Sequence, residues 1–128
     1  MKLTVADITF AHAVISREGG ISLPPAAGLK LARITRAIRQ EAESAQAAQD
    51  ALIPQHIERD AEGKPIKVTL PDGTTDDRLA EGGRPFRAAV RLLRAQEIEI
   101  NLPALTLAEL GDKPLSSDWL DALAPFLA

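Results

Sequence analysis

Cysteine is absent from the 128 residues, and so is tyrosine. Without cysteine there can be no disulfide, thiolate nucleophile, iron–sulfur cluster or Cys-ligated zinc. Two His in the whole chain argue against a His-rich metal site as well. Aromatic residues make up 3%, three Phe and one Trp. The core must therefore be aliphatic, and the aromatic platforms on which bases stack are missing. No apolar run approaches the ~18–20 residues of a membrane span, and no signal-peptide pattern is read at the start. A marked excess of positive charge is missing too: 15 Lys+Arg stand against 18 Asp+Glu, for a net charge of -3. That balance disfavours nucleic acid as the partner.

What is present is 45% hydrophobic residues, too many for a disordered chain, in a length typical of one domain. Thr4, with Asp7 three residues on, marks the start of a first helix. Its run Val5, Ala6, Ile8, Phe10, Ala11, Ala13, Val14 and Ile15 is apolar around most of the circumference, and Gly19-Gly20 supplies a stop. Ser22, Pro24 and Pro25 open a second helix, because proline is tolerated in the first turn. Leu31, Ile34, Ile38, Ala42, Ala45, Ala48 and Leu52 then recur at steps of three and four, one stripe of helical period. Pro54 should end or kink this helix of about 28 residues, ~42 Å long. The stripe passes from bulky to small side chains, which permits close approach of another helix, from this chain or a neighbouring copy.

From about 55 to 83 the period disappears. Ile66 to Leu70 alternates as a short strand does, and Pro71-Asp72-Gly73 is a turn signal, so a β-hairpin or arm is expected here. A third helix is expected from Pro85 to about Gln96, with Phe86, Ala89, Val90, Leu92 and Leu93 on its apolar side. Glu97 to Leu102 alternates charged and apolar residues, a strand that could pair with Ile66–Leu70. Thr106 to Glu109 is a capping box for a one-turn helix closed by Gly111. Ser117 is read as the cap of a last helix that buries Trp119, Leu120 and Leu123 and ends at Pro125. The expected fold is one mainly α domain, 1–128. An antiparallel helical hairpin (22–53 and 84–96) is braced by short N- and C-terminal helices, with a small β-hairpin and 55–83 as a projecting loop or arm.

Arg84, Arg87, Arg91 and Arg94, at steps of three and four, line one side of the third helix. They form a strip for phosphates, an acidic partner or an adjacent subunit, or simply a solvated face opposite Phe86, Val90 and Leu93. Together with Ile66, Val68 and Leu70 of the expected strand, they are the candidate partner-binding residues. Lys30, Arg33, Arg36 and Arg39 form a second, drifting band near a helix start, where positive charge opposes the helix dipole. Asp72, Asp76, Asp77 and Glu81 do not reproduce the spacing of an EF-hand loop. His12 reads as a hydrogen-bonded core residue and His56 as a cation at a helix end. No nucleophile elbow, P-loop, dinucleotide fingerprint or zinc-protease motif occurs, and no carboxylate pair stands out as acid and base. No catalytic residue, cofactor, metal or small-molecule substrate is assigned, and an enzyme is not expected.

Three stretches carry a resemblance to a known group. These are Met1-Lys2-Leu3-Thr4-Val5-Ala6-Asp7, then Leu29-Lys30-Leu31-Ala32-Arg33 opening the Ala/Glu/Gln-rich helix, then Glu97-Ile98-Glu99-Ile100 leading to Leu105–Leu110 and Leu115–Leu120. In this layout the chain resembles small proteins of unknown function encoded among the structural and assembly genes of tailed bacteriophages. The resemblance implies a non-enzymatic viral protein in the virion or the host cytoplasm, in the capsid or head–tail region. Its partners would be other virion proteins or copies of itself. The alternatives are a small inhibitor of a host enzyme, such as an anti-defence protein, and a DNA-contacting protein using the arginine strip.

Overall fold

Thr4 and Asp7 close a reciprocal pair of bonds in the computed structural model, which describes residues 1–18, 22–111 and 115–127. The Thr4 N–H donates to Asp7 Oδ2 and the Asp7 N–H to Thr4 Oγ1, both at 3.1 Å. The expected box therefore starts α1 (Val5–Glu18), while the Gly19-Gly20 stop lies outside the described residues. Pro25 opens α2 (Pro25–His56) at its first position, and the Gly28 N–H already bonds to the Pro24 carbonyl at 2.7 Å. Contrary to expectation, the helix runs through Pro54. The lost N–H falls in the last turn, where Gln55 Nε2 donates to the Ala51 carbonyl and His56 Nδ1 lies 2.8 Å from the Leu52 carbonyl. The carbonyl that Pro54 leaves without its usual donor is that of Asp50, one turn before the helix ends.

The remaining elements are β2 (Lys67–Thr69), β3 (Thr75–Asp77), a 3₁₀ turn (Ala80–Gly83), α3 (Arg84–Arg94), β4 (Glu97–Glu99), α4 (Leu107–Leu110), α5 (Ser117–Leu123) and a closing 3₁₀ turn (Ala124–Phe126). With β1 (Lys2–Thr4) they make a mainly α fold with small β elements. The expected pairing of Ile66–Leu70 with Glu97–Leu102 is not formed. β4 pairs antiparallel with β1, Leu3 opposite Ile98, and β2 pairs antiparallel with β3 across the Pro-Asp-Gly turn. For β2, a hairpin partner six residues away saves about 1.4 kcal/mol of loop entropy over one thirty residues away.

The chain divides into two compact units, 1–45 with 95–128, and 46–94. In the first, Ile8, Val14, Ile34, Ile38, Leu105, Leu123 and Phe126 are fully buried, each contributing about 1.5–3 kcal/mol. α1 covers this core with one face only: Ala6, Phe10 and Ala13 are exposed, so the helix is not enclosed on all sides as its composition implied. His12 is half-buried on α1 rather than a core residue. α4 begins with the expected capping box, Thr106 Oγ1 accepting from the Glu109 N–H and Glu109 Oε1 from the Thr106 N–H. α5 is capped by Ser116, not Ser117. It buries Trp119, Ala122 and Leu123, whereas Leu120 faces outward.

Candidate interaction surface

The second unit is assembled by turns. Asp60 Oδ1 accepts from the Glu62 and Lys64 N–H groups, and Gly63 at φ 82° lets the chain reverse. Asp72 repeats the device: its Oδ1 accepts from the Thr74 N–H at 2.9 Å and the Thr74 hydroxyl at 2.6 Å, with Gly73 at φ 87°. These Thr74 bonds hold the Asp72 carboxyl below the usual carboxylate range. Three backbone hydrogen bonds close a ring among the segments that flank these turns. The Ile66 N–H bonds to the Glu58 carbonyl, the Glu58 N–H to the Arg78 carbonyl, and the Arg78 N–H to the Ile66 carbonyl. Arg78 Nε lies 2.7 Å from Glu58 Oε2, and Lys67 is ion-paired with Asp77 across the hairpin. The β-hairpin expected within 55–83 is thus present, β2 and β3 pairing across the Pro-Asp-Gly turn.

Ile66, Val68 and Leu70 fall on one face of β2 and its flanks, the first two half-buried and Leu70 exposed. In the antiparallel register Asp76 stands opposite Val68, so its carboxylate borders that apolar row. Asp76 was weighed in the sequence only as part of an acidic cluster, and its place in a strand opposite Val68 was not legible there. Thr75-Asp76-Asp77 has no apolar alternation, and only the Lys67–Asp77 charge pair hints at the register.

α3 follows a sharp turn in which Glu81, Gly82 and Gly83 all take positive φ. The helix has one wet face and one half-covered face. Phe86, Ala89, Val90 and Leu93 are half-buried, with the Phe86 ring edge-on to His56 at 6.1 Å. Arg84, Arg87, Arg91 and Arg94 are all exposed and, at 100° per residue, fall within roughly 80° of one another. Arg87 Nη1 donates to the Gly82 carbonyl at 3.0 Å. Among the described residues, no carboxylate comes within ion-pair distance of these four guanidinium groups. Leu92, expected on the apolar side, is 73% exposed. It sits on the shoulder of the arginine arc beside Ala88, because a step of eight residues from Arg84 carries it only about 80° around the helix.

The acidic residues Asp72, Asp76, Asp77 and Glu81 do not converge: Asp72 bonds to Thr74, Asp77 pairs with Lys67, and Asp76 accepts from the Asp77 N–H. Among the described residues, no three His, Asp or Glu side chains gather as a metal site requires. In the first unit, Leu3, Asp7, Phe10 and Asp121 border a cleft of about 50 Å³. A second hollow of about 220 Å³ is lined by Leu107, Leu110, Leu115 and Leu120. Ligand pockets usually start near ~300 Å³. No helix among the described residues is long and apolar enough to cross a membrane. No family model, curated protein or solved structure matches the chain.

Proposed function

We propose that this chain is a non-enzymatic structural or assembly protein that works through protein–protein contacts, in the setting its sequence resembles, the tailed-bacteriophage particle. One observation carries the reading. The unit 46–94 has no fully buried large side chain, and its Ile57, Ile66, Val68, Leu79, Phe86, Val90 and Leu93 are all half-covered. A unit below about 60 residues buries too little surface to be more than marginally stable by itself. Half-covered apolar groups beside an exposed arginine face are what a protein interface completes, since interfaces join an apolar centre to a charged rim.

Quantitative mass spectrometry of purified particles tests this. The expected result is the chain present at a fixed copy number per particle. Its absence from particles, together with a stable one-to-one complex with a single host enzyme, would overturn the reading in favour of an inhibitor.

A further inference from the structure

We infer that the partner of the second unit is a second copy of this chain, the exposed face of α3 from one copy seating on the β2–β3 hairpin of the next. This rests on the assembly reading above and names its contact. The argument is charge complementarity within one chain. Between 57 and 81, seven acidic residues stand against four basic ones, whereas α3 holds four arginines and no acid. Asp60 and the hairpin's Asp72 and Asp76 have no cation within ion-pair distance among the described residues, and the α3 arginines have no carboxylate within it. Each set lacks internally what the other offers.

The apolar groups match in the same way. On α3 the arc through Arg91, Arg84, Ala88 and Leu92 places an exposed leucine beside two guanidinium groups. On the hairpin, Val68 and Leu70 lie beside Asp76 and, at the tip, Asp72. Spacing agrees as well. Arg84 and Arg91 are about 10 Å apart along the helix. Asp72 and Asp76 span at most about 13 Å of chain. Leu92 would cover the half-buried Val68 row while the two arginines reach the two carboxylates. Such a joint excludes water from the leucine and leaves the ion pairs at its rim, where they set orientation more than affinity.

The test is light scattering and sedimentation of the full chain across concentration and salt. The expected result is self-association that weakens roughly tenfold or more between low and high salt. Two variants separate the faces. Arg84→Glu with Arg91→Glu reverses the helix and touches no internal bond of α3. Asp72→Asn with Asp76→Lys reverses the hairpin while the asparagine oxygen keeps the Thr74 turn. Each alone should be monomeric, with association at least about a hundredfold weaker, because like charges then oppose across the joint. Mixed in equal amounts they should associate again, since one retains the native hairpin and the other the native helix.

A chain that stays monomeric at all concentrations overturns the inference, as does association indifferent to both reversals. So does binding of duplex DNA or anionic vesicles by the monomer that the Arg84/Arg91 variant loses. If the chain is found in particles yet never self-associates, this contact is wrong while the assembly reading stands. If it self-associates through these faces but is missing from particles, the contact stands and the assembly reading falls.

Discussion

Arg17 at the end of α1 places its Nη2 2.5 Å from Oδ2 of Asp118 in the first turn of α5, 101 residues later in the chain. Beside it the Ser116 hydroxyl donates to Glu18 at 2.7 Å while accepting from the Trp119 N–H. Two adjacent contacts thus fasten the C-terminal end of one helix to the N-terminal end of another, with Arg17 and Asp118 each at the end its helix dipole favours. The ion pair is solvent-exposed, so screening keeps its worth to about 0.2–1 kcal/mol. Ser116 does more, because it is also the helix cap. Ser116→Ala should cost about 1 kcal/mol in urea unfolding, and more than Arg17→Ala at moderate salt. An equal or smaller loss for Ser116→Ala would show that the cap is not needed.

The two units should differ in how they open. Ile34 and Leu123 are fully buried in the first unit, so truncating either to Ala should cost about 2–5 kcal/mol. Leu92→Ala in the second, at an exposed site, should change stability of the isolated chain by no more than about 0.5 kcal/mol. Native-state hydrogen exchange checks the same contrast. Amides of 31–42 should open only at high free energy, and those of 66–78 at clearly lower free energy. Equal protection in the two stretches would contradict this.

How much of this was legible follows from what a sequence encodes locally. Thr4 with Asp7 and Thr106 with Glu109 are boxes of four residues, and both formed as their spacing required. The stripe Leu31, Ile34, Ile38 and Ala42 is buried as its period demanded. Beyond Ala42 the stripe faded: Ala48 is exposed, because alanines bury too little area to define an inward side. Strand partners were not legible. Ile98 reads as a strand residue, but nothing local says that Leu3 lies opposite. β3 stayed hidden because Thr75-Asp76-Asp77 has no apolar residue to alternate. The candidate arginines are exposed on one arc as the spacing implied. That Asp76 stands opposite Val68 became visible only with the hairpin register.

Acid should loosen the first unit through Glu109. Its carboxylate accepts from Lys30 Nζ and from the Thr106 N–H, and these bonds hold its pKa below the ordinary value of 4.5. A depressed folded-state pKa gives stability that is fully present above the unfolded value and is lost as pH falls through the folded one. The contribution of Glu109 is therefore intact at neutral pH and fades below about pH 4.5. Thermal melts of the wild type and of Glu109→Gln, from pH 7 to pH 3, should show a gap at neutral pH that narrows with acid. A gap that is constant across this range would sink the assignment.

Gly82 and Gly83 both take positive φ, at 67° and 85°, yet alanine should be tolerated differently at the two. A Cβ at Gly82 would meet nothing within 4 Å, so Gly82→Ala costs only the left-handed strain of about 1–2 kcal/mol. At Gly83 the same Cβ would lie 2.9 Å from Arg87 Nη1 and 3.2 Å from Leu79 Cδ1. The arginine is flexible, but moving it gives up its bond to the Gly82 carbonyl. The half-buried Leu79 side chain must also give by a few tenths of an ångström at Cδ1. Gly83→Ala should therefore cost at least about 1 kcal/mol more than Gly82→Ala in urea unfolding, the added part being overpacking. Part of that excess should vanish in the Arg87→Ala background, where the nearer obstacle is gone. A double-mutant cycle reads this coupling directly. Equal costs for the two glycines, or zero coupling to Arg87, would mean that the turn before α3 relaxes around the new methyl group instead of holding its shape.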